Sequence, residues 1–322
     1  MATEQKIKIL AVVGPTASGK TAVSVELARR LGGEIVSCDS MQIYRRMNIG
    51  TAKPTKEEMN GVVHHLIDVV EPDAPFSCAE YVTLATEAVK DISARGKLPI
   101  LCGGTGLYLD RFLCGEMEET HADEALRASL FEYAEKEGAD ALHARLRAVD
   151  PESADAIHKN NVKRVVRALE IFEQTGIPKS EFDRRSQVGA SPYDAMVIGL
   201  HYPRREVLYE RINRRVDMML ADGLLEETKQ LKSEGVFDVN LTAAQAIGYK
   251  ELLGCLDGNE TLTEATENLK TATRRYAKRQ LTWFTAKPYV EWVDMEKDGT
   301  IRSLDDICKE IVSRFQDREG RA

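Results

Sequence analysis

Gly14-Pro15-Thr16-Ala17-Ser18-Gly19-Lys20-Thr21 decides how the rest of the chain is read. It has the spacing G-x-x-x-x-G-K-[ST] of a phosphate loop, and its flanks are those that such a loop needs. Before it, Ile7-Lys8-Ile9-Leu10-Ala11-Val12-Val13 reads as a buried strand. After it, Thr21 to Leu31 reads as a helix with Val23, Leu27 and Leu31 on one face. Glycine lets the backbone approach an anionic oxygen with no Cβ in the way, and the loop N–H groups converge on that oxygen at a helix N-terminus. Lys20 adds a mobile positive charge, and the Thr21 hydroxyl can hold Mg2+. Strand, loop and helix together predict an α/β core that binds a phosphorylated ligand.

Outward from the loop, Glu34-Ile35-Val36-Ser37-Cys38 reads as a second strand ending at Asp39. The segment Asp39 to Tyr44 then leaves the carboxyl edge, where open α/β sheets place ligands. Residues 48–55 form an irregular loop, and His65 to Val70 is predicted as a short strand. Ser77-Cys78-Ala79-Glu80 is a capping box that opens a helix to about Arg95. Leu98 to Cys102 is another buried strand, turned by Gly103-Gly104-Thr105-Gly106 into a helix from Leu107. Strands alternating with helices imply a mostly parallel sheet flanked by helices, a P-loop NTPase-like fold.

From about Gly115 the texture changes. Residues 116–189 show no strand pattern and are rich in Ala, Glu, Arg and Lys. Val162, Val165, Val166, Leu169 and Phe172 recur there at helical spacing before Gly176 and Pro178. Ala195 to Leu200 resumes the sheet. A long helix is predicted over Leu262 to about Thr285, with Leu262, Ala265, Leu269, Ala272, Tyr276 and Trp283 near one face, and Tyr289 to Val293 as a late strand. The expected organisation is a discontinuous core, 1–115 and 190–322, interrupted by an all-helical insertion domain, 116–189.

Composition narrows the classes. Of 322 residues, 43% are apolar and 30% charged, enough for a sizeable core on a soluble protein. No segment has the apolar length of a bilayer span, and the N-terminus lacks a signal-peptide pattern, so a cytoplasmic chain with no membrane partner is expected. The six cysteines form no C-x-x-C pair and are expected to be reduced. The histidine pair His64-His65 belongs to no H-E-x-x-H, and no structural metal is expected. A net charge of −8 excludes indiscriminate coating of nucleic acid but not local basic surfaces.

Asp39, a carboxylate after a buried strand beside the loop, could take a proton from a nucleophile; Mg2+ coordination and capping of the following turn compete with that role. The strand at 98–102 runs into Gly103-Gly104-Thr105 without the acid that a P-loop ATPase uses to hold Mg2+ and water, which favours group transfer over hydrolysis. Thr105 could bond a substrate, Asp39 or its own backbone. Three stretches are basic. Lys159, Lys163, Arg164 and Arg167 fall within 159–167, and five arginines within 204–215. Arg274, Arg275, Lys278, Arg279 and Lys287 fall within 274–287, interleaved with Tyr276, Trp283 and Phe284. Basic side chains hold phosphates while aromatics and arginine planes stack on unpaired bases, the usual way of reading RNA loops. Trp283 itself reads mainly as a core residue, with the cations around it free for phosphate.

Gly-Pro-Thr-Ala-Ser-Gly-Lys-Thr at 14–21, Asp-Ser-Met-Gln-Ile-Tyr at 39–44, Gly-Thr-Ala-Lys-Pro-Thr at 50–55 and His-His-Leu-Ile-Asp at 64–68 are followed by three further motifs. These are Gly-Gly-Thr-Gly-Leu-Tyr at 103–108, Gln-Ala-Ile-Gly-Tyr-Lys at 245–250 and Tyr-Ala-Lys-Arg-Gln-Leu-Thr-Trp-Phe at 276–284. In that order they resemble the bacterial tRNA dimethylallyltransferases (tRNA isopentenyltransferases) over nearly the whole chain. The resemblance implies transfer of a dimethylallyl group from dimethylallyl diphosphate to N6 of the adenosine just 3′ of the anticodon, with Mg2+.

By that resemblance Gly14, Thr16, Ala17, Ser18, Gly19, Lys20 and Thr21 hold the donor diphosphate, with Mg2+ at Thr21. Arg215 is preferred over its neighbours Arg211 and Arg214 as the assisting arginine. Asp39 is the base and Thr105 orients it or the amine. The tRNA anticodon stem-loop is expected to meet Asp39, Ser40, Met41, Gln42 and Thr105 around the extruded base. In the insertion it meets Arg127, Lys163, Arg164 and Arg167; in the turn, Gln245, Gly248 and Lys250; on the long helix, Lys278, Arg279, Gln280 and Trp283. A monomer is expected. A small-molecule P-loop kinase shares loop and fold but leaves the basic stretches and the insertion without a use. A non-catalytic nucleotide-binding module needs neither Asp39 nor Thr105, and a prenyltransferase for free adenine nucleotides has little use for the basic-aromatic helix.

Overall fold

The structure is a computed structural model and describes residues 6–115, 123–185 and 191–320. In β1 (Ile7–Val13) the side chains from Ile9 to Val13 are all buried. Such unbroken burial marks a parallel strand covered on both faces, and explains the apolar run with no alternation. The other strands of its sheet are β2 (Gly33–Cys38), β3 (His64–His65), β4 (Leu98–Gly103), β5 (Tyr193–His201) and β6 (Val290–Asp294). Their order is β3-β2-β4-β1-β5-β6. Every neighbouring pair is parallel, so the sheet expected to be mostly parallel is wholly so.

Register fixes where chemistry can happen. Val13 pairs with Gly103 on one side and Gly199 on the other, and Cys38 pairs with Gly103. The carboxyl ends of β1, β2 and β4 therefore finish level, with β5 running two residues further, and the segments that begin at Gly14, Asp39 and Gly104 leave one edge together. Because β1 lies between β4 and β5 while the chain continues to β2, the order reverses beside β1. That is the crevice where such sheets take ligands.

One face is covered by the helix Lys20–Leu31 and the helix Leu304–Glu319, whose Val23, Leu27, Ile307, Ile311 and Phe315 pack on Leu10, Val12, Ile198 and Leu200. The other is covered by the helices Cys78–Ala94 and Gly106–Cys114 through Tyr81, Ala85, Val89, Leu109 and Phe112. The capping box at Ser77 and Glu80 forms with both of its hydrogen bonds. The strand expected over His65 to Val70 stops at His65, because Leu66 and Asp68 take positive φ values of 61° and 57° that an extended strand cannot hold. Val70 keeps only an isolated bridge to Tyr44.

The long helix runs from Leu262 to Thr285 and buries Ala265, Leu269, Ala277, Gln280 and Phe284. Leu262 and Trp283, expected on its inward face, are instead 42% and 37% exposed. A one-position error on a helix is a rotation of about 100°, and Phe284 takes the core place that the sequence suggested for Trp283. No helix among the described residues is long and apolar enough to cross a membrane.

The chain divides into two compact units, Met1–Leu113 with Pro192–Ala322, and Cys114–Ser191. The start at 116 and end at 189 expected for the insertion lie outside the described residues. The second unit contains the helices Glu124–Glu137, Ala139–Val149, Pro151–Ala156, Val162–Thr175 and Lys179–Arg185, with no strand among its described residues. It has its own core of Leu130, Leu142, Leu146, Val165, Val166 and Leu169. Asp150 ties it locally, accepting from Ser153 N at 3.0 Å, Ser180 N at 2.9 Å and Ser180 Oγ at 2.8 Å.

Candidate active site

At the end of β1 the loop turns through Gly14, Ala17 and Gly19, with φ values of 139°, 62° and 93°. The positive φ of Ala17 is local strain of about 1–3 kcal/mol, the kind retained where geometry serves a site. Gly19 caps the helix Lys20–Leu31 without a side-chain hydrogen bond, so the first helical N–H groups are left for an external anion. Two loop amides are not free for that purpose. Ser18 N donates to Pro15 O at 3.3 Å and Thr16 N to Gln280 Oε1 at 2.8 Å. The cradle thus narrows from the whole loop to the helix start around Gly19, Lys20 and Thr21. Ser18 Oγ is buried and has no hydrogen-bond partner among the described residues. Leaving it so costs about 1–3 kcal/mol, and an anionic ligand would offer it an acceptor.

Lys20 folds back to donate from Nζ to Pro15 O at 2.7 Å. Burial pushes its pKa down to about 8, helped by the charge of Arg215 and opposed by Cys102 and Asp39. Of the three neighbouring arginines, Arg214 is exposed. Arg211 braces the loop, donating to Ala17 O at 2.9 Å with its guanidinium beside Gly19 and 5.5 Å from the Tyr202 ring. Arg215 is held below its ordinary pKa by burial and shares a field with Asp39, as does Lys20. Of the three it is the one whose charge acts on both Asp39 and Lys20.

Asp39 Oδ1 accepts from Met41 N at 2.9 Å and Gln42 N at 3.3 Å, so the turn-capping role is real. Its Oδ2 has no hydrogen-bond partner among the described residues, which leaves one carboxylate oxygen for a proton. Thr105 does not bond Asp39. Its Oγ1 accepts from Ser40 N at 3.1 Å while its N donates to Cys38 O at 3.2 Å, which clamps the turn after β2 to the turn after β4. Gln42 is likewise turned inward, with Nε2 on Thr51 O and Ala52 O at 3.3 Å each and Oε1 accepting from Ser37 Oγ at 3.2 Å. Met41 is partly buried against the core.

Three contributors escaped sequence reasoning in these roles. Tyr276 places a phenol, its pKa raised by burial and by Asp39, beside Thr105 and Gln280. Gln280, expected on RNA, is buried with both ends of its amide engaged: Oε1 on Thr16 N and Nε2 donating to Gly104 O at 3.0 Å. Glu227 holds the 48–53 loop from a distant helix. Its Oε2 accepts from Asn48 N at 3.0 Å and Ile49 N at 2.9 Å, and its Oε1 from Gly50 N at 2.9 Å and Tyr249 Oη at 2.7 Å. The loop so held presents Ala52 O to Arg215 at 3.4 Å. Only the motif order around Tyr276 and Gln280 hinted at them; Glu226-Glu227 on a helix reads as solvent-facing charge.

The residues assigned to RNA separate into two groups. Lys278, Arg279, Gln245, Lys250, Lys163 and Arg164 are exposed. Trp283 is exposed as well, its indole against Gly106 and 5.2 Å from Lys287 Nζ, which corrects the reading of it as core. Gly248, by contrast, is buried on Gly50, where it seats the 245–250 turn on the 48–53 loop. Arg127 and Arg167 are counter-ions of the buried Glu170, at 2.9 Å and 2.6 Å. A buried carboxylate stripped of its partners is costly, so the charge of these two arginines is committed within the helical unit.

The donor set fits magnesium held largely by its substrate. Among the described residues no group of three His, Cys, Asp or Glu could hold a metal ion. Thr21 stands at the first turn of the loop helix and Asp39 lies in the field of Lys20. Mg2+ commonly keeps its waters and binds through one or two protein oxygens plus phosphates, which is what these residues could offer.

Comparison with known proteins gives the family. The family model described as IPP transferase matches residues 42–287. The tRNA dimethylallyltransferase of Geobacillus thermodenitrificans is 53% identical over 311 residues, covering 96% of this chain and 98% of the relative. That of Bacillus subtilis is 51% identical over 294 residues, covering 91% and 92%. Among solved structures, the tRNA isopentenylpyrophosphate transferase of Bacillus halodurans superposes with a TM-score of 0.71 at 47% identity, covering 98% of this chain and 99% of the other. A eukaryotic dimethylallyltransferase captured acting on tRNA gives 0.77 at 30% identity, covering 95% and 80%. The family match over residues 42–287 and the full-length similarity point the same way, and this chain belongs to the IPP transferase family.

Proposed function

We propose that this chain transfers a dimethylallyl group from dimethylallyl diphosphate to N6 of the adenosine on the 3′ side of a tRNA anticodon. The observation that carries the reading is the meeting, at one sheet edge, of a cationic phosphate cradle with a carboxylate that keeps one oxygen free. Lys20, Arg215 and the uncapped helix start supply the cradle, and Asp39 the carboxylate. The allylic C–O bond breaks and its electrons leave on diphosphate, where Lys20, Arg215 and the helical N–H groups stabilise the growing charge. The N6 lone pair forms the new C–N bond, and Asp39 Oδ2 takes the proton released from N6. Thr21 would hold Mg2+, which would supply further neutralisation of the leaving group. Thr105 positions the turn that carries Asp39 through Ser40.

The exposed Lys278, Arg279 and Trp283 of the long helix, Gln245 and Lys250 of the turn, and Lys163 and Arg164 of the helical unit are the proposed RNA contacts. We take the chain to act as a monomer. Phosphoryl transfer to a metabolite fits less well: β4 ends in Gly103 without an acid, and the relatives are named tRNA dimethylallyltransferases.

Purified protein with Mg2+, radiolabelled dimethylallyl diphosphate and unmodified tRNA, with AMP and ATP as competing acceptors, tests the reading. Label in tRNA alone is expected. Label in AMP assigns the chain to free nucleotides, and ATP consumption without label makes it a kinase. Asp39→Ala is expected to lose transfer while keeping tRNA affinity within about threefold, since the base acts only on the proton in transit.

A further inference from the structure

Gln280 joins two loops that catalysis must hold in register. It lies on the long helix, 6% exposed, between the exposed Arg279 and the partly buried Leu281. Its amide spans from the phosphate loop, through Thr16 N at 2.8 Å, to the turn after β4, through Gly104 O at 3.0 Å. The next residue of that turn, Thr105, holds Ser40, and Ser40 follows Asp39. The bridge therefore runs from the donor cradle to the turn of the proposed base. A Cβ on Gly104 would lie 2.1 Å from Gln280 Nε2, so the turn is built around this amide. The partners demand an acceptor on one side and a donor on the other, which of the longer side chains only glutamine offers in one plane.

We infer that Gln280 is a positioning residue that sets the separation between the diphosphate cradle and the Asp39 turn. This rests on the transferase reading above. It assigns Gln280 to the approach of donor and acceptor and not to RNA affinity. A displacement near 1 Å between reacting groups costs roughly a hundredfold in rate, so the loss belongs in kcat.

The test compares the unsubstituted chain with Gln280→Leu and Gln280→Glu in steady-state transfer of dimethylallyl to tRNA, in tRNA and donor affinity, and in thermal melting. For Gln280→Leu, kcat is expected to fall about a hundredfold with tRNA and donor affinity within about fivefold. Gln280→Glu still accepts from Thr16 N but, when ionised, turns an oxygen toward Gly104 O. Once protonated it can donate to that oxygen. Its activity relative to the unsubstituted chain should therefore rise at least about fivefold between pH 8 and pH 6, a recovery that loss of folding alone does not produce. If Gln280→Leu does not fold, this pH ratio carries the test. A kcat within threefold in Gln280→Leu, a defect confined to tRNA affinity, or a flat pH ratio in Gln280→Glu overturns the inference. Absence of transfer by the unsubstituted chain overturns the functional reading, and the inference with it.

Discussion

Donor binding should take up a proton, and Lys20 is the reason. In the free chain Lys20 is partly buried near Arg215, and its pKa falls from 10.5 to about 8. Diphosphate restores the charged form, because a polyanion within hydrogen-bond reach favours an ammonium. Binding above pH 8 must then first protonate the amine. With a free-state value near 8, about 0.2 proton is taken up per donor at pH 7.5 and about 0.9 at pH 9, and affinity falls about eightfold between them. Phosphate groups titrate near pH 6, so the donor itself contributes little in this window. Calorimetry in two buffers of different ionisation enthalpy, at fixed Mg2+, counts the protons directly. Lys20→Met should bind the donor more weakly, but with no uptake between pH 7.5 and 9. Equal uptake by both proteins, or none by either, refutes the assignment. The same shift has a stability sign. A pKa lowered by folding means that the unfolded chain binds more protons between pH 8 and 10.5, so stability rises with pH there and the full cost is carried below pH 8. Lys20→Met should therefore stabilise the ligand-free chain at pH 7, by at most about 3 kcal/mol at 1.36 kcal/mol per pH unit, less the lost bond to Pro15 O.

Glu227→Ala strands the N–H groups of Asn48, Ile49 and Gly50 and the Tyr249 hydroxyl. Urea denaturation should show a loss of about 2–4 kcal/mol, with Glu227→Gln losing less, and an unmoved midpoint would count against the cradle. Arg127→Ala should cost the helical unit about 1–3 kcal/mol by weakening the support of Glu170, seen in thermal melting, while the salt dependence of tRNA binding stays as it was. A shallower salt slope at unchanged stability would return Arg127 to the phosphates. Replacing Lys278 and Arg279 together by Ala should reduce the slope of log affinity against log salt by about 1.5, with donor affinity unchanged. Loss of donor affinity instead would place that face in the diphosphate site.

Much of this was legible because it is local. The apolar runs of β1, β4 and β5 and the capping box at Ser77 declare themselves within a few residues, and the phosphate loop does so within eight. What stayed hidden depends on partners far along the chain. Gln280 meets Thr16 across 264 positions and Gly104 across 176, and Glu227 meets Gly50 across 177. Nothing near an amide or a carboxylate announces such a partner. Trp283 and Phe284 show the limit even of periodicity, since two adjacent aromatics serve equally well for one inward position until the packing decides.

The short motifs explain one another once their contacts are seen. Gly50 of the 50–55 motif lies under Tyr249 of the 245–250 motif, where a Cβ would be 2.3 Å from the ring. Gly104 and Gly106 of the 103–108 motif lie under Gln280 and Trp283 of the 276–284 motif, at 2.1 Å and 2.3 Å by the same measure. Thr105 of the 103–108 motif clamps Ser40 of the 39–44 motif, and Gln280 reaches back to Thr16 of the 14–21 motif. Each glycine is small because a named side chain from another motif fills its space. A substitution at one therefore requires a matching change at the other. Gly106→Ala alone should displace the Trp283 indole, and the pair Gly106→Ala with Trp283→Leu should recover part of the loss. Strict additivity of the two changes in a double-mutant cycle would show that the contact does not couple them.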